Sequence, residues 1–491
     1  MNNLFKLVST SHEDKYFYRK PRIDLKLLKE YNEGLICSTT CISGPFAQVV
    51  WDNPEASHEE LVAMMRPVVE DFIDIFGKER YFGELQWNNI PEQHKLNKCI
   101  IELSKEYGIK LISTVDSHYA RPELWKDREL YKRLGWLGMS KKPDWLSDDL
   151  PQSVDEIGYE LYPKNGDQVF ESYLKYSKLS GHEYNDEDVR QSIENTYYIA
   201  HELVEDFEPD ATVRLPDFVV PEGKDEDQAL IELCFEGLKA KGLDKKKDYV
   251  ARLKEEVTVI SSRGFSKYFL TMKAISDKAM ECQLTGAGRG SAAGSLVAYV
   301  LDITQVDPIK WGLLFSRFLR KDATDYPDID FDVSSPMALK DMFIQEWGDD
   351  VVVPISNWNT LQLRSLIKDI AKFYDIPFTE VNPVTSRMLK EATPIAKKAH
   401  GIKAGVYTPT FEEVMEYSDS LKAFLQKYPN VKTHVLQLYG QVRSCSRHAG
   451  GVVVGENLDK YMPLIKNGGV RQTPWSEGQN VRHLEPLGFI K

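Results

Sequence analysis

The chain has 491 residues, of which 42% are hydrophobic and 28% are charged, and its formal net charge is −13. This length allows roughly three domains of about 150 residues, and the apolar content excludes a disordered, collagen-like or low-complexity protein. The acidic balance predicts that any contact with nucleic acid is local and is not spread over a basic surface.

The six cysteines form no Cys-x-x-Cys motif, which is typical of a protein from a reducing compartment. No apolar run approaches the length of about 20 residues that a membrane-spanning helix needs. Residues 1–22 also lack the apolar core of a signal peptide. The sequence therefore predicts a cytoplasmic protein with no membrane partner.

The first 120 residues read as alternating helix and strand. Amphipathic helices are predicted over 57–77 and 92–108, and strands are predicted over 80–87 and 109–115. Asp116 and His118 directly follow the last of these strands. Because α/β barrels carry their chemistry at the C-terminal ends of strands, both are candidate ligands.

The middle of the chain is polar and rich in tyrosine, and no chemical motif lies between 121 and 209. A linker punctuated by prolines follows, which makes 210–225 the predicted internal boundary. Hydrophobic periodicity predicts helices over 186–203, 226–242, 247–261, 266–282 and 359–375, with more helices to about 446.

The acidic run Pro-Asp-Ile-Asp-Phe-Asp occupies residues 327–332. On a strand, Asp328, Asp330 and Asp332 would share one face and apolar residues the other. Like charges crowded on one face require either full solvation or cations. Same-face positions about 6.6 Å apart suit carboxylates that converge on two metal ions. By itself, the motif fits an exposed edge strand or an acidic turn equally well.

A glycine-rich run over 286–295 leads into the apolar, helix-like stretch 296–301. Small residues at a helix start let backbone N–H groups approach phosphate oxygens, and Arg289 adds a cationic donor. The run is not a Walker loop, and the segment before it is a poor strand, which argues against dinucleotide binding. A tight glycine loop used only for helix packing is the structural alternative.

The order and spacing of the two motifs favour a shared site. A glycine loop followed about 40 residues later by an acidic segment is the layout of a metal-dependent nucleotidyltransferase. Arg317 lies between them and is a further candidate phosphate ligand, although an ordinary surface arginine is the simpler interpretation.

Cys41, Asp116 and His118 offer a soft, a hard and an imidazole ligand, which is weak evidence for a metal site. Cys41 equally fits a small buried side chain, and Asp116 equally fits a turn cap. His448, which precedes Ala-Gly-Gly, favours a structural role.

Several of these motifs, taken in order, resemble the C-family replicative DNA polymerases, the alpha subunits of bacterial and phage DNA polymerase III. Four segments are similar to palm motifs of that family: GAGRGSAAGSLVAYVL at 286–301, LLFSRFL at 313–319, PDIDFD at 327–332 and HAGGVVV at 448–454. KLVS, EGLICSTTCISG and STVDSHY resemble its polymerase and histidinol phosphatase (PHP) domain. The resemblance covers essentially the whole chain.

The resemblance implies an α/β and α+β multidomain fold. A partial, α/β barrel-like PHP domain would be followed by a polymerase-beta-like nucleotidyltransferase palm with a helical thumb. Residues 1–209 would form the C-terminal part of the PHP domain, and 210–334 the N-terminal part of the palm. Residues 335–445 would form the helical thumb-like region, and 446–491 would return into the palm.

The implied reaction is addition of deoxynucleotides to a primer 3′ end, with primer-template DNA and dNTPs as partners. Asp328 and Asp330 match the catalytic aspartates that hold two Mg²⁺ ions, and Asp332 is an adjacent acid to which the resemblance assigns no role. Lys491 matches an active-site lysine. The positions that match nucleotide-binding residues are Arg289, Gly290, Ser291 and Arg317.

By the same resemblance, Cys41, Asp116 and His118 match the PHP metal cluster, which would take Zn²⁺ or Mn²⁺. In some members of the family that cluster supports a phosphoesterase or proofreading activity. The chain departs from the family pattern at residues 320–323, where Arg-Lys-Asp-Ala stands in place of Asn-Pro-Glu-Arg. A phosphate-facing arginine expected at 323 is therefore absent, and Arg320 or Lys321 is the candidate substitute.

The resemblance also implies that the chain starts inside the PHP domain and stops before the third catalytic aspartate. We therefore expect the chain alone to polymerise DNA very weakly or not at all. It would need a complementary C-terminal polypeptide, through which a sliding clamp would bind. The alternatives are a PHP-type metal phosphoesterase and an inactive fragment that binds DNA or replication proteins. Primer extension after a pull-down of the complementing polypeptide separates these possibilities.

Overall fold

The computed structural model describes residues 1–476 except 138–142, 144–146, 148, 207, 209–211, 213 and 325. The chain divides into two compact units, and each is assembled from separate stretches of sequence. Among the described residues, unit 1 takes in Met1, 24–206 and 358–444. Unit 2 takes in 2–23, 208–357 and 445–476.

Unit 1 contains a parallel sheet of three strands in the order β1 (Cys37–Ser38), β2 (Tyr81–Gln86) and β3 (Lys110–Thr114). Every residue of β2 is buried, as expected for the central strand of a parallel sheet covered by helices. The predicted alternation of helices and strands over 57–115 is confirmed. Mixed helix and strand structure is therefore established for this region.

The helices of unit 1 fall into two groups along the chain. The first group surrounds the sheet or follows it and comprises Leu25–Glu30, Pro45–Asp52, His58–Phe76, Pro91–Tyr107, Trp125–Trp136, Val154–Ile157, Gly166–Ser180 and Asp186–Tyr198. The second group comprises Leu363–Phe373, Phe378–Ala399, Phe411–Tyr417, Asp419–Lys427 and Pro429–Leu438. Each group has its own apolar core, and Leu130 of the first group belongs to the core of the second.

Helix Pro91–Tyr107 carries a fully buried histidine, His94. Its Nδ1 lies 2.7 Å from the Tyr184 hydroxyl and its Nε2 lies 2.8 Å from the Asn88 carbonyl oxygen. Burial lowers the pKa of His94 to about 4. The folded chain therefore keeps this imidazole neutral at a pH where the unfolded chain would protonate it.

Acidification is expected to destabilise unit 1 through His94. Because the pKa is depressed in the folded state, this contribution is complete above the unfolded pKa of about 6.5 and is lost as the pH falls towards 4. The full loss would be about 3 kcal/mol in the free energy of unfolding. Urea denaturation between pH 7 and pH 4.5 measures it. A His94→Gln variant should show a flatter pH dependence, and an unchanged slope would contradict the prediction.

Unit 2 is built mainly from helices, at Asn2–Ser11, Glu226–Ala240, Lys247–Ser262, Ser266–Cys282, Leu296–Val300, Pro336–Trp347 and Leu458–Tyr461. Its largest core gathers apolar residues from 215 to 319, and helix Leu296–Val300 is almost entirely buried there. The helices predicted over 226–242, 247–261 and 266–282 are confirmed. Within the described residues, no helix is both long enough and apolar enough to cross a membrane.

The C-terminal half contributes the remaining strands of the described chain. β4 (Val352–Thr360) pairs with β5 (Val442–Val454). β6 (Ile465–Asn467) and β7 (Val470–Gln472) form an antiparallel hairpin. Its two-residue turn consists of two glycines, both with positive φ, as such tight turns require.

The first helix of unit 2 is held by residues from the end of the described chain. The side chain of Lys6 pairs with that of Asp459. The Leu464 N–H donates to Ser9 Oγ at 2.9 Å. Leu7 of this helix is buried, with 5% of its surface exposed. The stretch 2–23 therefore depends on residues that lie some 450 positions later in the sequence.

Candidate active site

The C-terminal end of the acidic segment 327–332 lies beside the start of the glycine-rich run. The Gly286 N–H donates to the Asp332 carbonyl at 2.8 Å, and the Ser334 N–H donates to the Leu284 carbonyl at 3.0 Å. A single antiparallel bridge joins Thr285 to Val333. The two segments that the spacing predicted to cooperate are therefore neighbours in unit 2.

Residues 327–332 do not form the regular strand that was one of the alternatives for this motif, because they belong to no ladder in the structure. Three carboxylates on one side disfavour enclosure between partner strands, and Pro327 has no N–H to donate. The predicted alternation of side chains is nevertheless present: Asp328, Asp330 and Asp332 are exposed while the intervening residues are half-buried. Ile329 packs on the main core of unit 2.

A buried tyrosine fixes the start of the acidic segment. The hydroxyl of Tyr268, on helix Ser266–Cys282, donates to the Pro327 carbonyl at 2.7 Å. Burial raises the pKa of Tyr268, and the negative charge of Asp328 acts in the same direction. The hydroxyl thus stays protonated and remains a hydrogen-bond donor across the physiological range.

Gly290 lies directly against Asp330. Its φ is +66°, and a Cβ built at this position would come within 2.6 Å of Asp330 Oδ2. The absence of a side chain therefore allows the backbone to approach the carboxylate closely. This contact joins the candidate phosphate-binding loop to the candidate metal-binding acids.

The remaining predicted nucleotide ligands lie on exposed parts of the same region. Arg289, Ser291 and Arg317 are all exposed. Arg289 Nη1 lies 3.3 Å from Asp332 Oδ1, and both side chains are more than half exposed. Such a surface ion pair contributes about 0–1 kcal/mol, so Arg289 can exchange this partner for a phosphate at little cost.

The start of helix Leu296–Val300 is not a free anion site. The N–H groups of Leu296 and Val297 both donate to the carboxylate of Glu256, and Ala298 N–H donates to Ser295 Oγ. The prediction that phosphate would meet the helix start is corrected accordingly. The exposed residues available for phosphate lie upstream, around Gly290 in the turn of 3₁₀ helix Gly290–Gly294.

Glu256 and its partner Arg252 were not identified from the sequence. The signal was present, since Glu256 occupies a position on the buried face of helix Lys247–Ser262, among Leu253, Val259 and Ile260. Burial raises the pKa of Glu256, while the two amides and the Arg252 cation act in the opposite direction. A charged residue at an apolar-face position calls for a partner elsewhere in the chain.

The donor set at the acidic segment fits Mg²⁺. This ion is usually held by one or two carboxylates together with water and substrate phosphates, and it prefers oxygen ligands. Asp328 and Asp330 supply two exposed carboxylates, and the phosphate-binding candidate lies against the second of them.

The candidate PHP ligands Cys41, Asp116 and His118 do not form a grouped metal site among the described residues. Asp116 follows β3 with φ of +47°, and its carbonyl oxygen lies 2.6 Å from His118 Nδ1. Cys41 is half-buried in the loop after β1. Across the described parts of the chain, no three His, Cys, Asp or Glu side chains are grouped to hold a metal ion. The Zn²⁺ or Mn²⁺ site stays a prediction, and no reaction step is derived through it.

His448 and Lys491 are the two remaining positions singled out from the sequence. His448 lies on β5, where its Nδ1 accepts the Gly451 N–H at 2.7 Å and its carbonyl accepts the buried Lys340 ammonium at 2.7 Å, which fits the structural role. Burial, with Arg447 nearby, lowers the pKa of Lys340 to about 8. Lys491 lies outside the described residues.

Comparison with known proteins gives two family matches. The model of the bacterial DNA polymerase III alpha NTPase domain matches residues 228–491, and the PHP domain model matches residues 1–88. The chain is 33% identical to the DNA polymerase III subunit alpha of Aquifex aeolicus, 31% to that of Borreliella burgdorferi and 30% to that of Saccharopolyspora erythraea.

These three alignments cover the whole chain but 42%, 39% and 39% of the respective relatives. The chain thus spans about two fifths of the length of the curated relatives it matches. The first family model covers more than half of the chain and includes both the glycine-rich and the acidic segments. The chain belongs to the family of the bacterial DNA polymerase III alpha NTPase domain.

Proposed function

We propose that this chain carries the nucleotidyl-transfer site of a replicative DNA polymerase, which adds dNTPs to a primer 3′ end on a DNA template. The observation that carries the proposal is the contact of Gly290 with Asp330, where a Cβ would lie 2.6 Å from the carboxylate oxygen. A loop suited to a triphosphate and acids suited to its metal ions thereby share one site. The relatives named DNA polymerase III subunit alpha support this assignment.

Asp328 and Asp330 would hold two Mg²⁺ ions beside the triphosphate. When bound, these ions neutralise the charge that develops on the attacking and leaving oxygens. Tyr268 fixes the acidic segment through its hydrogen bond to Pro327, so the two carboxylates start from a defined position. Pre-set carboxylates reduce the reorganisation that the reaction would otherwise require.

Gly290 and Ser291 would lie against the triphosphate, and Arg289 and Arg317 would supply the positive charge for its oxygens. All four residues are exposed in unit 2, which leaves them accessible to a nucleotide. Arg289 would leave Asp332 and move to phosphate, because charge-assisted contacts to phosphate are stronger than its present exposed ion pair.

We also propose that residues 210–334 and 446–491 form a palm, that 335–445 form a thumb-like region, and that 1–209 belong to a PHP domain. A cytoplasmic location belongs to the same proposal. All six cysteines are unpaired, which is compatible with a reducing compartment.

Template-dependent dNTP binding tests the proposal. The purified chain is mixed with a primer-template whose primer ends in a dideoxynucleotide, and dNTP binding is measured with Mg²⁺ and with EDTA. We expect the dNTP complementary to the template base to bind at least about tenfold more tightly than the others, and only with Mg²⁺. Equal affinity for all four dNTPs, or no binding, would contradict the proposal. Extension of an unblocked primer by the chain together with the complementary C-terminal polypeptide is the accompanying activity measurement.

A further inference from the structure

Glu256 is a fully buried carboxylate that the proposed reaction does not use. It lies on helix Lys247–Ser262 with none of its surface exposed. Its neighbours on that face of the helix are Leu253, Val259 and Ile260, all buried. A buried charge is retained only when it is paired and its hydrogen-bonding capacity is satisfied.

Four donors bind the carboxylate of Glu256, two at each of its oxygens. Oε1 accepts from Arg252 Nε at 2.6 Å and from the Leu296 N–H at 3.0 Å. Oε2 accepts from Ser295 Oγ at 2.9 Å and from the Val297 N–H at 3.0 Å. With four donors engaged, the carboxylate is fixed in place and is unsuited to moving a proton.

Arg252 extends this arrangement to a second main-chain segment. Its Nη2 donates to the Gly294 carbonyl at 2.9 Å and to the Leu313 carbonyl at 3.3 Å. Gly294 ends the 3₁₀ helix that begins at Gly290, and Leu313 lies just before 3₁₀ helix Phe315–Arg317. One ion pair thus connects the segment that bears Gly290 with the segment that bears Arg317.

The two connected segments are also in direct contact. A Cβ built at Gly294 would lie 2.9 Å from the Leu314 carbonyl oxygen, so the main chains pass close to each other. An apolar residue at 256 could fill the same volume, and buried ion pairs are often replaceable by apolar groups without loss of stability. An apolar residue could not hold two main-chain segments by directional hydrogen bonds, and this is the property that singles out the pair.

We propose that Glu256 and Arg252 act as positioning residues for nucleotide binding, because they set the separation between the Gly290–Ser291 turn and Arg317. This inference rests on the proposed function, in which these groups contact the triphosphate. Neither Glu256 nor Arg252 would touch the nucleotide. Their effect would be to present the turn and the arginine side chain at a fixed distance before the nucleotide arrives.

A Glu256→Gln variant tests the inference with little change in shape. The amide nitrogen of glutamine would face donors where a carboxylate oxygen now accepts, so the two hydrogen bonds to that oxygen are lost. We expect at least about tenfold weaker binding of Mg²⁺·dATP on a primer-template with thymine as the templating base, and faster hydrogen exchange of the amides in 290–297.

Arg252→Lys provides a second variant that is independent of the first. Lysine keeps the charge beside Glu256 but cannot also reach the carbonyls of Gly294 and Leu313 through a second nitrogen. We expect a similar loss of dATP affinity with a smaller fall in the urea midpoint. If Glu256→Gln fails to fold, this variant carries the test.

Asp225→Ala is the matched control, since it removes another carboxylate that caps a helix in unit 2. Asp225 accepts the Gln228 N–H at 2.8 Å at the start of helix Glu226–Ala240. It should lower the urea midpoint while dATP affinity stays within about twofold of the wild type. If the Glu256 and Arg252 variants lose stability but bind dATP like the wild type, the positioning role is overturned. If the wild-type chain binds no dATP, the proposed function fails, and this inference fails with it.

Discussion

An Asp330→Asn variant is expected to lose at least about 10³-fold in the rate of nucleotidyl transfer. Asparagine keeps the size of the side chain but lacks the charge needed to hold a cation, and metal-based charge stabilisation contributes several kcal/mol to such reactions. A loss of about 4 kcal/mol corresponds to about 10³-fold in rate. Because Asp330 is exposed, the substitution should leave the free energy of unfolding nearly unchanged.

Single-turnover primer extension by the chain reconstituted with its complementary C-terminal polypeptide, over a range of Mg²⁺ concentrations, measures the effect, and Mg²⁺-dependent dNTP binding is followed in parallel. Asp328→Asn should behave in the same way. Asp302→Asn is the control, because Asp302 pairs with Lys241 at 2.6 Å and has a left-handed φ of +59° that asparagine tolerates. If Asp330→Asn retained a tenth of the wild-type rate, the assignment of this carboxylate would be wrong.

Gly290→Ala is expected to reduce the transfer rate about 10²-fold and to weaken dNTP binding. The new methyl group would lie 2.6 Å from Asp330 Oδ2, so the carboxylate must move. A displacement of about 1 Å at a reacting centre can cost about 10²-fold in rate. The left-handed backbone adds a strain of about 1–2 kcal/mol to the folded state.

Gly242→Ala separates strain from displacement. Gly242 has the same φ, +66°, but a Cβ built there would have no atom of the described residues within 4 Å. Both variants should therefore lose similar free energy of unfolding, as measured by urea denaturation. Only Gly290→Ala should lose activity. Equal activity losses in the two variants would mean that the contact with Asp330 has no role.

Local patterns predicted the helices of unit 2 closely. The helix expected over 266–282 is found at Ser266–Cys282, and that expected over 247–261 is found at Lys247–Ser262. Hydrophobic periodicity and capping residues act within a few positions, so they can be read from the sequence. The start of the helix expected at 359 was wrong, because β4 extends to Thr360 through pairing with β5, about 90 residues further along the chain.

The site was only partly predictable for the same reason. Alternation of the acids is a property of neighbouring residues, and it was predicted. The lack of a regular strand at 327–332 depends on which segments lie beside it. The role of Glu256 depends on Leu296 and Val297, some 40 positions later, and no local pattern connects them.

The dependence of helix Asn2–Ser11 on residues near 460 has a consequence for synthesis. Ser9 and its partner Leu464 are 455 positions apart, so at roughly 5–20 residues per second a ribosome needs on the order of 20–90 s to supply the partner. Until then the apolar face around Leu7 is uncovered. The nascent chain should therefore be a substrate for chaperones until residue 464 has been made, and unit 2 can close only after that point.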